Sequence, residues 1–235
     1  MAGPTAEGST ARDGGAHEGG VDTRDMLVVH LALRREFRLA PGLVRRTRDG
    51  DTRRARTVAT HLTLMADLLR HHHGGEDRLL WPALLARVPR ELAPVVALME
   101  SHHETIHEVM EAVVALLPRW REAAGTADRD ALAGYLDRLS AVLDEHLTAE
   151  EQRLLPLAAR FLTEAEWARL GEEGVGGLPK RRLPLVFGML MYQGDPAVIS
   201  TMLAGAPPLP RLLMSRFGPR AYARYARRVH GTPAP

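Results

Sequence analysis

The sequence predicts an all-α protein, an antiparallel up-down-up-down four-helix bundle carrying a C-terminal extension of short helices. Three observations lead there. Apolar residues recur at intervals of three and four along four long stretches, the period of amphipathic helices. Short turn signals separate these stretches, so consecutive helices become antiparallel neighbours. Histidines and glutamates scattered along the chain fall at one depth once the stretches are folded back on each other.

From Asp22 to about Arg48 the apolar period runs through Leu27, Leu31, Leu33 and Phe37 with His30 among them, and Pro41 is expected to kink the helix. Asp49, Gly50 and Asp51 mark a turn. A second helix follows through Val58, Leu62, Met65, Leu68 and Leu69 to Trp81, weakened near its end by Gly74 and Gly75. Pro89 and Arg90 stand at the next break. Leu92 to Ala123 reads as a third helix, with Pro94 tolerated in its first turn and Pro118 bending it. Beyond Gly125 and Thr126 a fourth runs from Asp130 to about Phe161, with Leu132, Leu136, Leu139, Val142, Leu143 and Leu147 on one face.

At 235 residues and 45% hydrophobic content, the chain suits one main domain with additions. The bundle is expected over 22–162, a short helix around Trp167 and a Gly-rich linker over 163–177, and a basic extension of short, loosely packed helices over 178–235. Residues 1–21 lack the apolar run of a signal peptide or anchor and read as a disordered arm of a cytoplasmic protein. No stretch reaches the roughly 20 apolar residues of a membrane helix. The formal net charge of +2 argues against nucleic-acid binding by the whole chain. The extension nevertheless sets nine Lys and Arg side chains against Asp195 alone.

The chain has no cysteine, which excludes disulfides, thiolate zinc sites and cysteine-ligated iron–sulfur clusters. Any metal must take nitrogen and oxygen ligands. Eleven histidines against four phenylalanines and four tyrosines make histidine the residue to follow.

The informative residues are His30 in the first helix, His72 and Glu76 in the second, His103 and His107 in the third, and His146 and Glu150 in the fourth. The spacing i, i+4 puts each pair on one helical face about 6 Å apart, within reach of one metal centre. Register adds weight. With turn centres near residues 50, 89 and 126, His30 lies 20 residues before the first and His72 lies 22 after it. The midpoints of the His72/Glu76 and His103/His107 pairs stand 15 before and 16 after the second, and the separations about the third are 21 and 22. All seven groups therefore share one layer.

A single helical histidine is more often a hydrogen-bonded core residue than a ligand. Five imidazoles and two carboxylates buried in one layer without a cation would be expensive, however, and this cost favours a metal centre. Imidazole and carboxylate suit Fe, Mn, Zn or Cu. Seven ligands exceed a structural zinc site and suit two octahedral ions sharing two carboxylates and one oxygen, with one position open to a small ligand. His71, His73 and His102 point about 100° away from the chosen residues, although the irregularity at Gly74 and Gly75 offers a way for His73 to enter. His61, three turns before His72, reads as a core or supporting histidine.

The stretches "HHHGGEDRLLWP", "MESHHETIH" and "DEHLTAEEQRLLP", with "VVHLALRREF" supplying the first histidine, resemble the hemerythrin family, specifically the bacterial HHE cation-binding proteins. The likeness covers roughly residues 22 to 160. It implies His30, His72, Glu76, His103, His107 and His146 as ligands to two iron ions joined by an oxo or hydroxo bridge, with Glu76 bridging. The respiratory members carry an aspartate five residues after the last histidine. This chain offers Glu150 at plus four and Glu151 at plus five, and the i, i+4 spacing favours Glu150.

An imidazole-rich site places less negative charge on iron than glutamate-rich di-iron sites and stabilises the ferrous state. The expectation is a carrier, scavenger or sensor of O2, NO or peroxide rather than an enzyme, with no membrane partner. The alternatives are a di-iron enzyme turning over peroxide or NO, which would use the same ligands, and a regulatory protein acting through its basic tail, where "PRAYARYARRVHG" interleaves arginine with Tyr222 and Tyr225. The expected apolar lining is Leu33, Phe37, Leu68, Met99, Ile106, Met110 and Leu143.

Overall fold

The structure, a computed structural model, describes residues 20–88, 90, 93–205 and 207–235. Of the expected N-terminal arm, residues 1–19 lie outside the described residues. Among the described residues all regular structure is helical. Four long helices dominate: α1 (Arg24–Arg45), α2 (Thr52–Gly75), α4 (Ala93–Ala123) and α5 (Thr126–Ala149), with a short α3 (Trp81–Leu85) between the second and third. α1 and α4 pass through Pro41 and Pro118 without a break.

Cross-helix pairs give the relative directions. Arg34 of α1 bonds Asp144 and Thr148 of α5, whereas Arg45 meets Asp137, so α5 numbers fall as α1 numbers rise and the two run antiparallel. His103 lies against His146 and Arg119 against Asp128, giving the same sense for α4 and α5. Two turns meet at one end. The Asp49 carboxylate accepts from the backbone N–H and hydroxyl of Thr126, and Gly50 N–H donates to the Ala124 carbonyl. Gly50 takes φ +72°, a left-handed value glycine adopts without strain. Asp51 then caps α2 by accepting from Arg54 N–H.

The core comes in two parts. One apolar cluster includes Leu33, Phe37, Leu69, Ile106 and Leu147, and the other includes Met26, Leu80, Met99 and Leu154. On each long helix or the turn that continues it a polar residue falls between them: His30 between Met26 and Leu33, Glu76 between Leu69 and Leu80, His103 between Met99 and Ile106, Glu150 between Leu147 and Leu154. The bundle is thus apolar above and below one charged layer.

Two π turns mark that layer, at Glu76–Leu80 and Glu150–Leu154. In each the residue after the turn donates its backbone N–H five residues back, Trp81 to Glu76 and Leu155 to Glu150. A proline follows both times, Pro82 and Pro156. Proline lacks the N–H for an i−4 bond and its ring crowds that carbonyl, so the ladder admits one extra residue instead of breaking.

After the second π turn come α6 (Leu155–Phe161) and α7 (Glu164–Gly176), the latter continuing helically through most of the glycine-rich stretch expected as linker. α8 (Leu183–Met191) and α9 (Pro196–Ala204) are short, but α10 (Pro208–His230) has 23 residues, longer than the short helices expected. Its attachment is also firmer than expected. Tyr222, Ala226 and Val229 join the main core, and α8 meets α10 where Gly188 faces Gly218 backbone to backbone. No described helix is long and apolar enough to cross a membrane.

Candidate metal centre

The charged layer gathers six of the seven residues singled out from the sequence. Two groups of possible ligands form, His30, His72, Glu76 and Glu150 in one and His73, Glu76, His103 and His146 in the other, with ligand atoms within 4.8 Å of one another in each. Glu76 belongs to both. Its Oε1 lies 3.3 Å from His72 Nδ1 and its Oε2 lies 3.4 Å from His103 Nε2. Glu150 also reaches across, with Oε2 3.4 Å from His30 Nε2 and 3.7 Å from His146 Nε2.

His107 is not brought into this layer. It is exposed, and His73 instead joins Glu76, His103 and His146. The buried stripe of α4 steps from Met99 to His103, then three residues to Ile106 and four to Met110. His107 is therefore turned about 40° away from His103 at 100° per residue, toward solvent. His73 is buried, its ring stacked on His103 with centroids 4.0 Å apart. Its α2 remains regular through Gly74 and Gly75, and the irregularity lies just beyond, in the π turn. His71 and His102 stand outside both groups.

Two acidic residues take up places beside the layer that the sequence reading did not give them: Asp77 went unnoticed, and Glu151 was weighed only as the alternative final ligand. Asp77 accepts from His103 Nδ1 at 2.7 Å and from Trp81 Nε1 at 2.9 Å. Glu151 accepts from His30 Nδ1 at 2.9 Å and from Arg34. In both places the glutamate enters the layer and the acidic residue after it holds the imidazole of a neighbouring helix. With Nδ1 donating outward, Nε2 presents its lone pair to the layer. A signal was available: "HxxxE" followed by an acid and, six residues after the glutamate, a proline occurs twice, from His72 and from His146. The layer is an internal repeat with an offset of 74 residues.

The electrostatics show what the layer lacks. All four oxygens of Glu76 and Glu150 are buried without a hydrogen-bond donor, as are Nε2 of His30, His72 and His73. Burial pushes the Glu150 carboxyl well above the usual range, and the charges of Glu76 and Glu151 push it further. Burial pulls His72 down to about 4 and His73 well below its ordinary value. Burial opposes charge on His103 too, but the hydrogen bond to Asp77 and the negative charge of the nearby Glu76 outweigh it and hold the ring at about 9. Buried carboxylates with no donors and imidazoles with inward lone pairs form a donor set for cations, and the shared carboxylates suit two.

Two openings approach the layer. An apolar cavity of about 140 Å³ touches His72 and is walled by Val29, Leu33, Met65 and Leu68 together with Val186 and Leu190 of α8. On the other side a more open, polar cleft is lined by His73, Asp77, Trp81, His103, His107 and Met110.

Comparison with known proteins agrees with this geometry. The family model described as the hemerythrin HHE cation binding domain matches residues 21–161, more than half of the chain. A stretch of 104 residues is 30% identical to the iron-sulfur cluster repair protein YtfE of Musicola paradisiaca, covering 44% of this chain and 47% of that protein. The chain thus spans about half the length of this curated relative. No solved structure gives a significant match.

Proposed function

The chain belongs to the hemerythrin HHE cation-binding family, and from that premise we propose that it is a non-haem di-iron protein binding O2, NO or peroxide as a carrier, scavenger or sensor. One observation carries the reading: two four-residue groups share Glu76 in a layer whose four carboxylate oxygens have no hydrogen-bond donor. Such burial is costly for a protein with nothing to place there. His30, His72, Glu76 and Glu150 would hold one ion, and His73, His103, His146 and Glu76 the other, with Glu150 in reach of both. Iron held there supplies a redox-active position for a small ligand.

The remaining roles belong to the chain itself. Glu151 and Asp77 orient His30 and His103 by accepting their outward N–H groups. The apolar clusters on either side of the layer keep bulk water from its carboxylates. The apolar cavity against His72 admits small neutral molecules more readily than ions. The experiment is iron content together with ultraviolet and visible spectra of the reduced protein before and after O2 or NO. Two irons per chain and a stable adduct support the reading. One iron or none would falsify it, and steady turnover with an electron donor would favour the enzyme.

The likeness to an iron–sulfur cluster repair protein favours a second reading, in which the centre supplies iron to damaged clusters. Without cysteine, this chain would release such iron from histidine and carboxylate alone. Transfer of labelled iron from the loaded chain to an apo-cluster protein separates this reading from ligand binding.

A further inference from the structure

A second buried cluster lies where α10 docks on the bundle. It consists of Glu36 of α1, His61 of α2 and His230 at the end of α10, whose ligand atoms lie within 4.8 Å of one another. His61 stands eleven residues before His72, about 16 Å along α2 at 1.5 Å per residue, so this cluster is separate from the charged layer. The side chains of Glu36 and His61 are 0% exposed and that of His230 is 3%.

The two carboxylate oxygens of Glu36 have different surroundings. Oε1 accepts from Arg35 Nε at 3.0 Å, Arg35 Nη2 at 2.9 Å and the Tyr222 hydroxyl at 2.7 Å. Oε2 faces His230 Nε2 at 3.0 Å and His61 Nε2 at 3.6 Å. A hydrogen-bonded clip accounts for His230 Nε2, whose Nδ1 is buried without a partner, but not for His61 Nε2, because 3.6 Å exceeds hydrogen-bond range and that nitrogen has no partner. Its other nitrogen, Nδ1, is paired with the Tyr225 hydroxyl at 3.1 Å. If Nδ1 donates, the Nε2 lone pair points at a carboxylate. If Tyr225 donates, an Nε2–H is buried with no acceptor in range. A cation between the three side chains removes the deficit at His61 Nε2.

We propose that Glu36, His61 and His230 form a third metal site, a two-histidine, one-carboxylate site for a single divalent first-row ion such as Zn2+ or Fe2+, which pins α10 to α1 and α2. Ligands about 2.0–2.2 Å from one ion are separated by about 2.9–3.6 Å in tetrahedral or octahedral arrangements, and the contacts to Oε2 match that interval. Arg35 and Tyr222 occupy Oε1, so Glu36 binds through Oε2 alone. Tyr225 orients His61 as an outer partner does for a metal-bound imidazole. Because Arg35 already balances Glu36, the ion keeps its charge and draws a hydroxide or small anion as fourth ligand. This makes the site weaker than the charged layer. The surroundings include no further carboxylate hydrogen-bonded to these three side chains among the described residues.

The test is equilibrium dialysis of the full iron-loaded chain against Zn2+, with both metals counted by mass spectrometry. One zinc per chain beyond the iron is expected, lost in His230→Gln with the iron spectrum unchanged. A His72→Ala, His146→Ala double variant, stripped of the main centre, should still take up that zinc. Failure of the di-iron reading therefore leaves this result intact, and the converse also holds. Co2+ titration of the wild type and His230→Gln adds a readout that leaves the charged layer unaltered: the difference spectrum should show a ligand-field band of a four- or five-coordinate ion. No zinc beyond the main centre, or equal zinc and identical Co2+ spectra in wild type and His230→Gln, overturns the proposal and leaves a hydrogen-bonded clip.

Discussion

Replacing Asp77 by asparagine keeps an acceptor oxygen for His103 and Trp81 and removes only the charge. The Asp77 side chain is 51% exposed, so solvent accepts the new amide N–H groups, and the metal-free fold should lose only the stability that the Asp77 charge lends to protonated His103. The His103 imidazole, however, loses the carboxylate that makes its Nε2 a better donor. Removing such an outer partner costs roughly 10- to 100-fold in metal affinity, or about 1.4–2.7 kcal/mol. Glu151→Gln provides an internal comparison. Glu151 shares its charge with Arg34 as well as His30, so it polarises its imidazole less than Asp77 does. The expected losses are about 30-fold for Asp77→Asn and about 10-fold or less for Glu151→Gln. Competition with a chromophoric chelator reads both, with thermal unfolding of the metal-free forms as control. Unchanged affinity in Asp77→Asn, or a larger loss in Glu151→Gln, would refute the assignment of these carboxylates as orienting groups.

Metal uptake at pH 7 should release at least the His103 proton, because that ring sits at about 9 in the metal-free chain; enthalpies in buffers of different ionisation heat measure this, and no release contradicts it. The same raised His103 value lends stability to the metal-free chain that is complete below about 6.5 and lost as pH rises through about 9, so its unfolding midpoint should fall across that interval. His73→Ala should lower iron content by about one ion per chain while His107→Ala leaves it unchanged, and the reverse pattern would restore His107 as the ligand. Gly188→Ala should destabilise the chain by about 2 kcal/mol in denaturant titration, because the new Cβ would stand 2.0 Å from the Gly218 carbonyl oxygen, an overpacking that outweighs the roughly 1 kcal/mol gained in helix propensity; an unchanged or raised midpoint would show that α8 and α10 can separate freely.

The helices and the charged layer were legible because both rest on periodicity. Four apolar stripes locate α1, α2, α4 and α5, and counting from the turns places His30, Glu76, His103 and Glu150 at one depth. His73 was harder, since choosing between neighbouring positions needs the phase of a helix to within about 40°. The His103/His107 pair shares the i, i+4 spacing of the His72/Glu76 pair, yet the α4 stripe steps three residues after His103 and leaves His107 outside. The roles of Asp77 and Glu151 depend on a π turn, which shifts side-chain phase by a full residue and has no periodic signature of its own. Pro82 and Pro156, each six residues after a glutamate, were its trace. The firm docking of α10 was illegible for another reason: Glu36, His61, Tyr222 and His230 are joined only by tertiary contact, and nothing in their spacing ties them together.

The internal repeat accounts for both the symmetry of the centre and its one departure from symmetry. An offset of 74 carries His72 onto His146 and Glu76 onto Glu150, and an offset of 73 carries His30 onto His103. Each half then contributes two imidazoles and one carboxylate to the layer. His73 breaks the pattern, because its counterpart is Leu147, which is buried in the apolar core. The side containing His103 and His146 therefore has a third imidazole, and the side containing His30 and His72 has none to match it. On the proposed reading, room for a small ligand is left at His30 and His72. The apolar cavity lies against His72, and α8 closes part of its wall. The chain's departure from its own repeat and the position of its cavity thus select the same half of the centre, and the C-terminal extension, through Val186 and Leu190, shapes the approach to it.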